Sequence, residues 1–285
     1  MERDMVQFKK VLLETFSDFI DFCKKNDLKY YAAYGTAIGA VRHHGFIPWD
    51  DDIDVYMPKK DFERFLSFQG KLSGKYEIIA PFDPKYVGYF AKYYNKNTTI
   101  LESEEIPCPY GVYIDVFPLF ECESHTEEIE RLKIKYNKSY MKYYKSVRTC
   151  STKLLFYYLK KGKYKKAIKV ITNKSYYHYF EDKTKAQIKE IFRQFNSYTG
   201  NNWCTYSPIP QNALIYPKEW FGEGSEHQFE NLKIILPKEY DKYLTHAFGN
   251  YMELPPENKR NSGHSPVYVN IEEHKTYEEI LDIIL

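Results

Sequence analysis

Apolar residues first recur at helical spacing in residues 6–25. Leu13, Phe16, Ile20 and Cys23 make a stripe that Leu12 and Phe19 widen, which predicts an amphipathic helix. Residues 30–34 read as a short buried strand ending at Gly35, and residues 36–42 (TAIGAVR) as a short helix starting just after that glycine. Gly45 to Trp49 form a turn around Pro48. Residues 52–57 (DIDVYM) alternate polar and apolar with period two, a strand pattern. Pro58, suited to a helix start, leads into KKDFERFLSF, whose Phe62, Phe65 and Leu66 share an inward face. Further strands are predicted at 76–80, 89–94, 98–101 and 112–117.

The texture changes near residue 125. Residues 131–180 hold 15 Lys and Arg, ten tyrosines and no Asp or Glu. Tyr136, Tyr140, Tyr143, Tyr144 and Val147 fall on one helical face, and Tyr164, Ala167, Ile168 and Ile171 repeat the pattern after a break near Gly162. Two or more basic amphipathic helices are expected. Further on, Pro237 and Gly249 bracket a helix containing Tyr240, Leu244, Ala247 and Phe248. Thr276 and Glu279 form a capping box that opens a terminal helix. The order of elements predicts an α+β fold: a mixed-sheet core flanked by helices, with a basic helical insertion. The expected divisions are 1–124, 125–205 and 206–285.

Composition narrows the class. Of 285 residues, 43% are hydrophobic and 28% charged, which excludes collagen-like, fibrous and disordered chains. The net charge of +2 is a cancellation: residues 1–130 carry −8 and residues 181–285 carry −5 against +15 in the middle. Such a basic segment suits an anionic membrane surface, a phosphate-rich polymer, or simply a solvated helix face. Five scattered cysteines without metal-ligand spacing fit a reducing compartment. The charged N-terminus MERDMVQFKK lacks an apolar signal region, and no window of about 18 residues is continuously apolar, so a cytoplasmic protein without a membrane span is expected.

The chemistry concentrates in GTAIGAVRHHGFIPWDDDIDVYMP, residues 35–58. Asp50, Asp51, Asp52 and Asp54 crowd into five positions, where their mutual repulsion calls for cations. On a strand, Asp52 and Asp54 project to one face about 7 Å apart and can grip divalent cations, whereas Asp51 points away and is the poorer ligand. Gly35-Thr36 at a strand-to-helix junction lets a phosphate approach backbone N–H groups. Asp115, between Ile114 and Val116, is a carboxylate in a buried strand, unfavourable unless it is paired or metal-bound.

GTAIGAVRHHGFIPWDDDIDV and YIDVFPL resemble the LicD family of phosphorylcholine transferases, distantly similar to fukutin-type transferases and within the nucleotidyltransferase superfamily. KNTT at 96–99, FENLKIILPKEYDKYL at 229–244 and FGNYMELPPENKR at 248–260 extend the resemblance. It covers residues 30–120 and 210–265 and is weak across 125–205. The resemblance implies a polymerase β-like core and transfer of phosphocholine from CDP-choline to a hydroxyl of a cell-surface glycan or teichoic acid precursor. It implies that Asp52, Asp54 and Asp115 hold one or two Mg²⁺ or Mn²⁺ ions, and that Asp115 can accept the hydroxyl proton. Gly35 and Thr36 would cradle donor phosphates.

Arg42 and His43 are candidates for phosphate contacts, Arg42 equally for a salt bridge to the aspartates. Asp50 is a candidate for tuning the metal site, Lys92 for the leaving phosphate or an exposed strand position, and His264 for substrate contact. Choline would bring a quaternary ammonium, recognised by aromatic faces at about 0.5–2 kcal/mol each. Trp49, Tyr56, Tyr110, Trp220 and Phe221 are cage candidates by adjacency to the motifs. The basic segment, 131–180, would seat the enzyme on the inner membrane face beside a lipid-linked acceptor. Other readings are transfer of another phospho-alcohol or phosphosugar, a D-x-D glycosyltransferase, and a non-enzymatic glycan- or membrane-binding protein. Nucleic-acid binding ranks last, since no such module is recognisable.

Overall fold

The computed structural model describes residues 2–83, 86–123, 127–149, 151–177, 179, 181–205 and 215–285. Its centre is a mixed sheet built on β1 (Tyr31–Ala32), β2 (Asp54–Pro58), β3 (Tyr76–Ile79), β4 (Ala91–Asn95) and β6 (Tyr113–Cys122), in the order β1-β2-β6-β4-β3. The β2–β6 pair is parallel and the others are antiparallel. β6 is ten residues long, beyond the expected 112–117. Its far half pairs with β7 (Asn202–Cys204), which in turn pairs with β8 (Ile215–Pro217). Two small ladders flank the sheet. One joins β5 (Thr99–Leu101) to β11 (Tyr268–Asn270), and the other joins β9 (Ser225–Phe229) to β10 (Leu232–Leu236).

α1 (Glu2–Lys25) lays its predicted stripe on the sheet, with Leu12, Phe16, Phe19 and Cys23 buried. Phe19 packs edge-on to Tyr30, Phe65 and Tyr93. α2 (Tyr34–His43) and α3 (Lys59–Leu66) follow β1 and β2. α8 (Tyr240–Phe248) packs Tyr243 and Leu244 into the same core. α9 (Tyr277–Ile284) opens with the expected capping box of Thr276 and Glu279.

The basic region is helical: α4 (Glu127–Ser146), α5 (Thr152–Lys160), α6 (Tyr164–Tyr177) and α7 (Glu181–Ser197). The expected α4 face is inward. Tyr136 and Tyr143 are buried in a second core with Ile188, Ile191, Phe195 and Phe120, and Tyr140 and Val147 pack against it. The expected α6 face is not. Only Ala167 is buried, and Tyr164, Ile168 and Ile171 are exposed. The inward pair is Ala167 and Val170, one residue around the helix, because Leu154 and Tyr158 of α5 pack there. The division at 124/125 and the one at 205/206 fall on or beside residues outside the described ones, and Cys150 also lies outside them.

Candidate functional site

Register assembles the centre. Asp54 on β2 stands opposite Asp115 on β6, and Lys92 on β4 stands opposite Asp115 from the other side. Lys92 Nζ lies 2.6 Å from Asp115 Oδ1. Lys92 is 3% exposed and Asp115 7%, so the lysine is not an exposed strand residue. Its ammonium also sits 3.3 Å from the centre of the Tyr113 ring and near Phe90 and Tyr110. A buried cation fixed to a carboxylate and aromatic faces is a rigid charge.

Residues 50–53 fall outside β2, which begins at Asp54. The period-two alternation therefore does not govern Asp51 and Asp52. Asp51, expected to point away, meets His264 instead, with Nδ1 3.0 Å from its Oδ1, while His264 Nε2 lies 3.7 Å from Asp52 Oδ2. Ligand atoms of Asp51, Asp52 and His264 lie within 4.8 Å of one another, a set able to hold a metal ion. Asp115, expected in that role, is turned to Lys92.

Burial and like charge raise the proton affinity of these acids. Burial, then the neighbouring Asp50, pushes Asp52 up to about 8. Asp54 is raised by burial and by Asp52, Asp115 and Asp50. Burial raises Asp50. Burial lifts Asp115 only to about 6, because Lys92 opposes it. The hydrogen bond to Asp51 lifts His264 to about 9. The cluster holds more carboxyl groups than Lys92 and His264 can pair, and a divalent cation would favour their ionised forms.

α2 starts at Tyr34, two residues earlier than expected, so Gly35 and Thr36 lie inside its first turn. Tyr34 has a left-handed φ of 44° and donates its N–H to the Tyr243 hydroxyl at 3.1 Å. A Cβ at position 35 would run into the Asp50 carboxylate, so glycine permits Asp50 to close on the helix start. Thr36 is buried and its Oγ1 accepts the Asp54 N–H at 2.8 Å, tying α2 to the start of β2. Arg42 and His43 lie at the other end of α2. Arg42 donates to the carbonyls of Tyr251 and Glu253 rather than to the aspartates. His43 accepts from Arg42 Nε at 2.9 Å, and its proton affinity is lowered by burial and by Arg42.

A cavity of about 240 Å³ opens beside Lys92, Asp115 and His264. Tyr86, Phe90, Tyr110, Tyr113, Tyr140 and Tyr144 line it. Glu102 also lines it and accepts the hydroxyls of Tyr110 and Tyr113 at 3.1 and 3.0 Å. Among the described residues, the buried Tyr86 hydroxyl has no hydrogen-bond partner. Of the expected cage, only Tyr110 is here. Tyr56 and Phe221 are fully buried in the main core and offer no free ring face. Trp49 is covered by the Arg260 guanidinium, and Trp220 stands edge-on to His246. The sequence reading missed Glu102, Tyr86, Phe90, Tyr113, Tyr140 and Tyr144. Tyr140 and Tyr144 were legible only as a helix stripe, and the cavity needs α4 folded against β6 and the segment just before β4, where Tyr140 meets Tyr89.

Comparison with known proteins bears on this arrangement. Residues 27–149 match the family model described as LicD/FKTN/FKRP, nucleotidyltransferase domain. The chain is 28% identical over 261 residues to the lipopolysaccharide cholinephosphotransferase LicD of Haemophilus influenzae, covering 89% of this chain and 93% of that protein. An uncharacterised protein of Rickettsia prowazekii is 42% identical over 50 residues, 18% of this chain and 19% of its own. The matched domain contains Asp51, Asp52, Asp54, Lys92 and Asp115 and runs into α4, where the cavity is closed by Tyr140 and Tyr144. Residues 27–149 are thus a LicD-family domain, in a chain whose likeness to a LicD protein extends over most of its length.

Proposed function

We propose that this protein transfers phosphocholine from CDP-choline to a hydroxyl of a lipid-linked surface-glycan or teichoic acid precursor, at the inner face of a membrane. The observation that carries the reading is the Asp54–Asp115–Lys92 register beside an aromatic cavity, within a domain of this family. The mixed sheet is read as a nucleotidyltransferase core of polymerase β type. The acceptor oxygen forms a bond to the choline-bearing phosphorus, the bond from that phosphorus to the bridging oxygen breaks, and CMP leaves. Asp115, lifted to about 6, takes the hydroxyl proton near neutral pH. Lys92 fixes Asp115 and presents positive charge at the cavity.

Asp51, Asp52 and His264, with Asp54 beside them, are the residues that would hold Mg²⁺ or Mn²⁺. Such an ion supplies neutralisation of the donor phosphates. Drug-sized ligands occupy roughly 300–1,000 Å³. A cavity of about 240 Å³ therefore fits a small headgroup rather than a whole nucleotide. Its rings and Glu102 suit a quaternary ammonium. The test is CMP release from CDP-choline, CDP-ribitol and CDP-glycerol, and nucleotide release from UDP-sugars, with Mg²⁺ or Mn²⁺ and a hydroxyl acceptor. Release from CDP-choline above the others supports the reading. Turnover of another donor with none of CDP-choline overturns it.

A further inference from the structure

The α5–α6 hairpin packs beside α4 through α6, yet it has an apolar cluster of its own, separate from both larger cores. Leu154 and Tyr158 of α5 pack on Ala167 and Val170 of α6 in a cluster of their own. That small core leaves much apolar surface outside. Phe156 is 69% exposed and Ile168 62%. Leu159, Tyr164 and Ile171 are exposed as well. Phe156 and Leu159 follow one another at i, i+3, and Tyr164, Ile168 and Ile171 at i, i+4, i+7, so each helix carries an outward apolar stripe. Lys160, Lys161, Lys163, Lys165 and Lys169 are exposed on the same two helices and their connection. Scattered exposed apolar residues are ordinary. Five on a short hairpin, interleaved with five lysines, are not.

We infer that this hairpin is a bilayer-docking element, placing its apolar stripes among acyl chains and its lysines among anionic headgroups. A soluble polyanion would satisfy the lysines but would leave Phe156, Leu159 and Ile168 in water; an anionic bilayer satisfies both. Among the described residues no helix is long and apolar enough to cross a membrane, so the contact is interfacial. Side-chain contacts join the hairpin to the loop beside the cavity. The Tyr158 hydroxyl donates to Glu104 and Glu105, at 3.0 and 3.2 Å, and Lys166 pairs with Glu104 at 2.6 Å. Those glutamates adjoin Glu102 and Ser103, which line the cavity. Lys153 ties the hairpin to Asp282 of α9 at 2.5 Å. The hairpin thus reaches a membrane from the loop that walls the cavity. This deepens the membrane location in the proposed function and rests on none of its chemistry, so vesicle binding and CMP release can fail separately.

The test is co-sedimentation of the full chain with phosphatidylcholine vesicles and with vesicles containing phosphatidylglycerol, in low and high salt. Wild-type protein is expected on the anionic vesicles, with partition falling as salt rises. A Phe156→Ser, Ile168→Ser double variant is expected to lose at least tenfold in partition. Lys161→Glu with Lys165→Glu should lose at least as much, given about fivefold per lysine at the surface. All four positions are exposed, and circular dichroism checks that the variants fold. Equal sedimentation of wild type and both double variants overturns the inference. So does tight binding of wild type to soluble polyphosphate with none to anionic vesicles.

Discussion

Lys92 and Asp115 are register partners on adjacent antiparallel strands, and their side chains meet at 2.6 Å almost out of water. Breaking one half of such a pair strands the other charge, at a cost of about 3–5 kcal/mol. Lys92→Met is therefore expected to lower the melting temperature and to reduce CMP release at least a hundredfold. Melting curves and a CMP-release assay check this. Activity within threefold of wild type would show that Lys92 only fills space.

Asp52 binds its proton up to about pH 8, far above the ordinary 3.8. Between about pH 4 and 8 the folded chain retains a proton that the unfolded chain has released, so stability falls as pH rises through that window. A divalent cation favours the charged form and should reverse the trend. Melting of the protein in EDTA and in Mg²⁺ at pH 6 and pH 8.5 checks both signs. The Asp52→Asn variant should melt higher than wild type in EDTA at pH 8.5 and gain little from Mg²⁺. A pH-independent melt of the metal-free wild type would contradict the strain assigned to this cluster.

Glu102 and the rings around it should choose the headgroup. An aromatic contact with a cation is worth about 0.5–2 kcal/mol, which corresponds to roughly two- to thirtyfold in affinity. Tyr144→Ala and Glu102→Gln are expected to raise KM for CDP-choline within that range and to narrow its advantage over CDP-ethanolamine. Competition between the two donors measures it. Unchanged discrimination in both variants would place the headgroup elsewhere.

Thr36→Val removes the acceptor for a buried Asp54 N–H. An orphaned buried donor costs about 1–3 kcal/mol. The variant should lose that much stability in urea and should lose activity as Asp54 shifts, whereas Thr36→Ser, which keeps the hydroxyl, should retain both. A Thr36→Ser variant as impaired as Thr36→Val would point to the methyl group rather than the hydrogen bond.

Much of the fold was legible because the relevant signals are local. The α1 stripe, the α3 start after Pro58 and the Thr276–Glu279 box each depend on neighbours within a few residues. Asp54 and Asp115 could be singled out because carboxylates between apolar strand residues are rare. What stayed hidden depends on partners far along the chain. His264 reaches Asp51 across 213 positions, and this pulls Asp51 out of the role that alternation assigns it. The inward face of α6 depends on where α5 lands, and the aromatic lining of the cavity depends on α4 meeting the segment before β4. Adjacency to a motif was a poor guide to the cage, since Tyr56 and Phe221 serve the core.

β6 has a further consequence. Its first half carries Asp115, and its second half, through Phe120 and Cys122, forms the floor beneath α4 and α7. One uninterrupted strand therefore belongs to both the candidate site and the helical lobe. A minimal fragment ending at β6 would keep every aspartate of the site, yet it would leave Phe120 bare and take away Tyr140 and Tyr144. The smallest working unit of this protein is indivisible at that strand: the carboxylates and the compartment beside them must be made together.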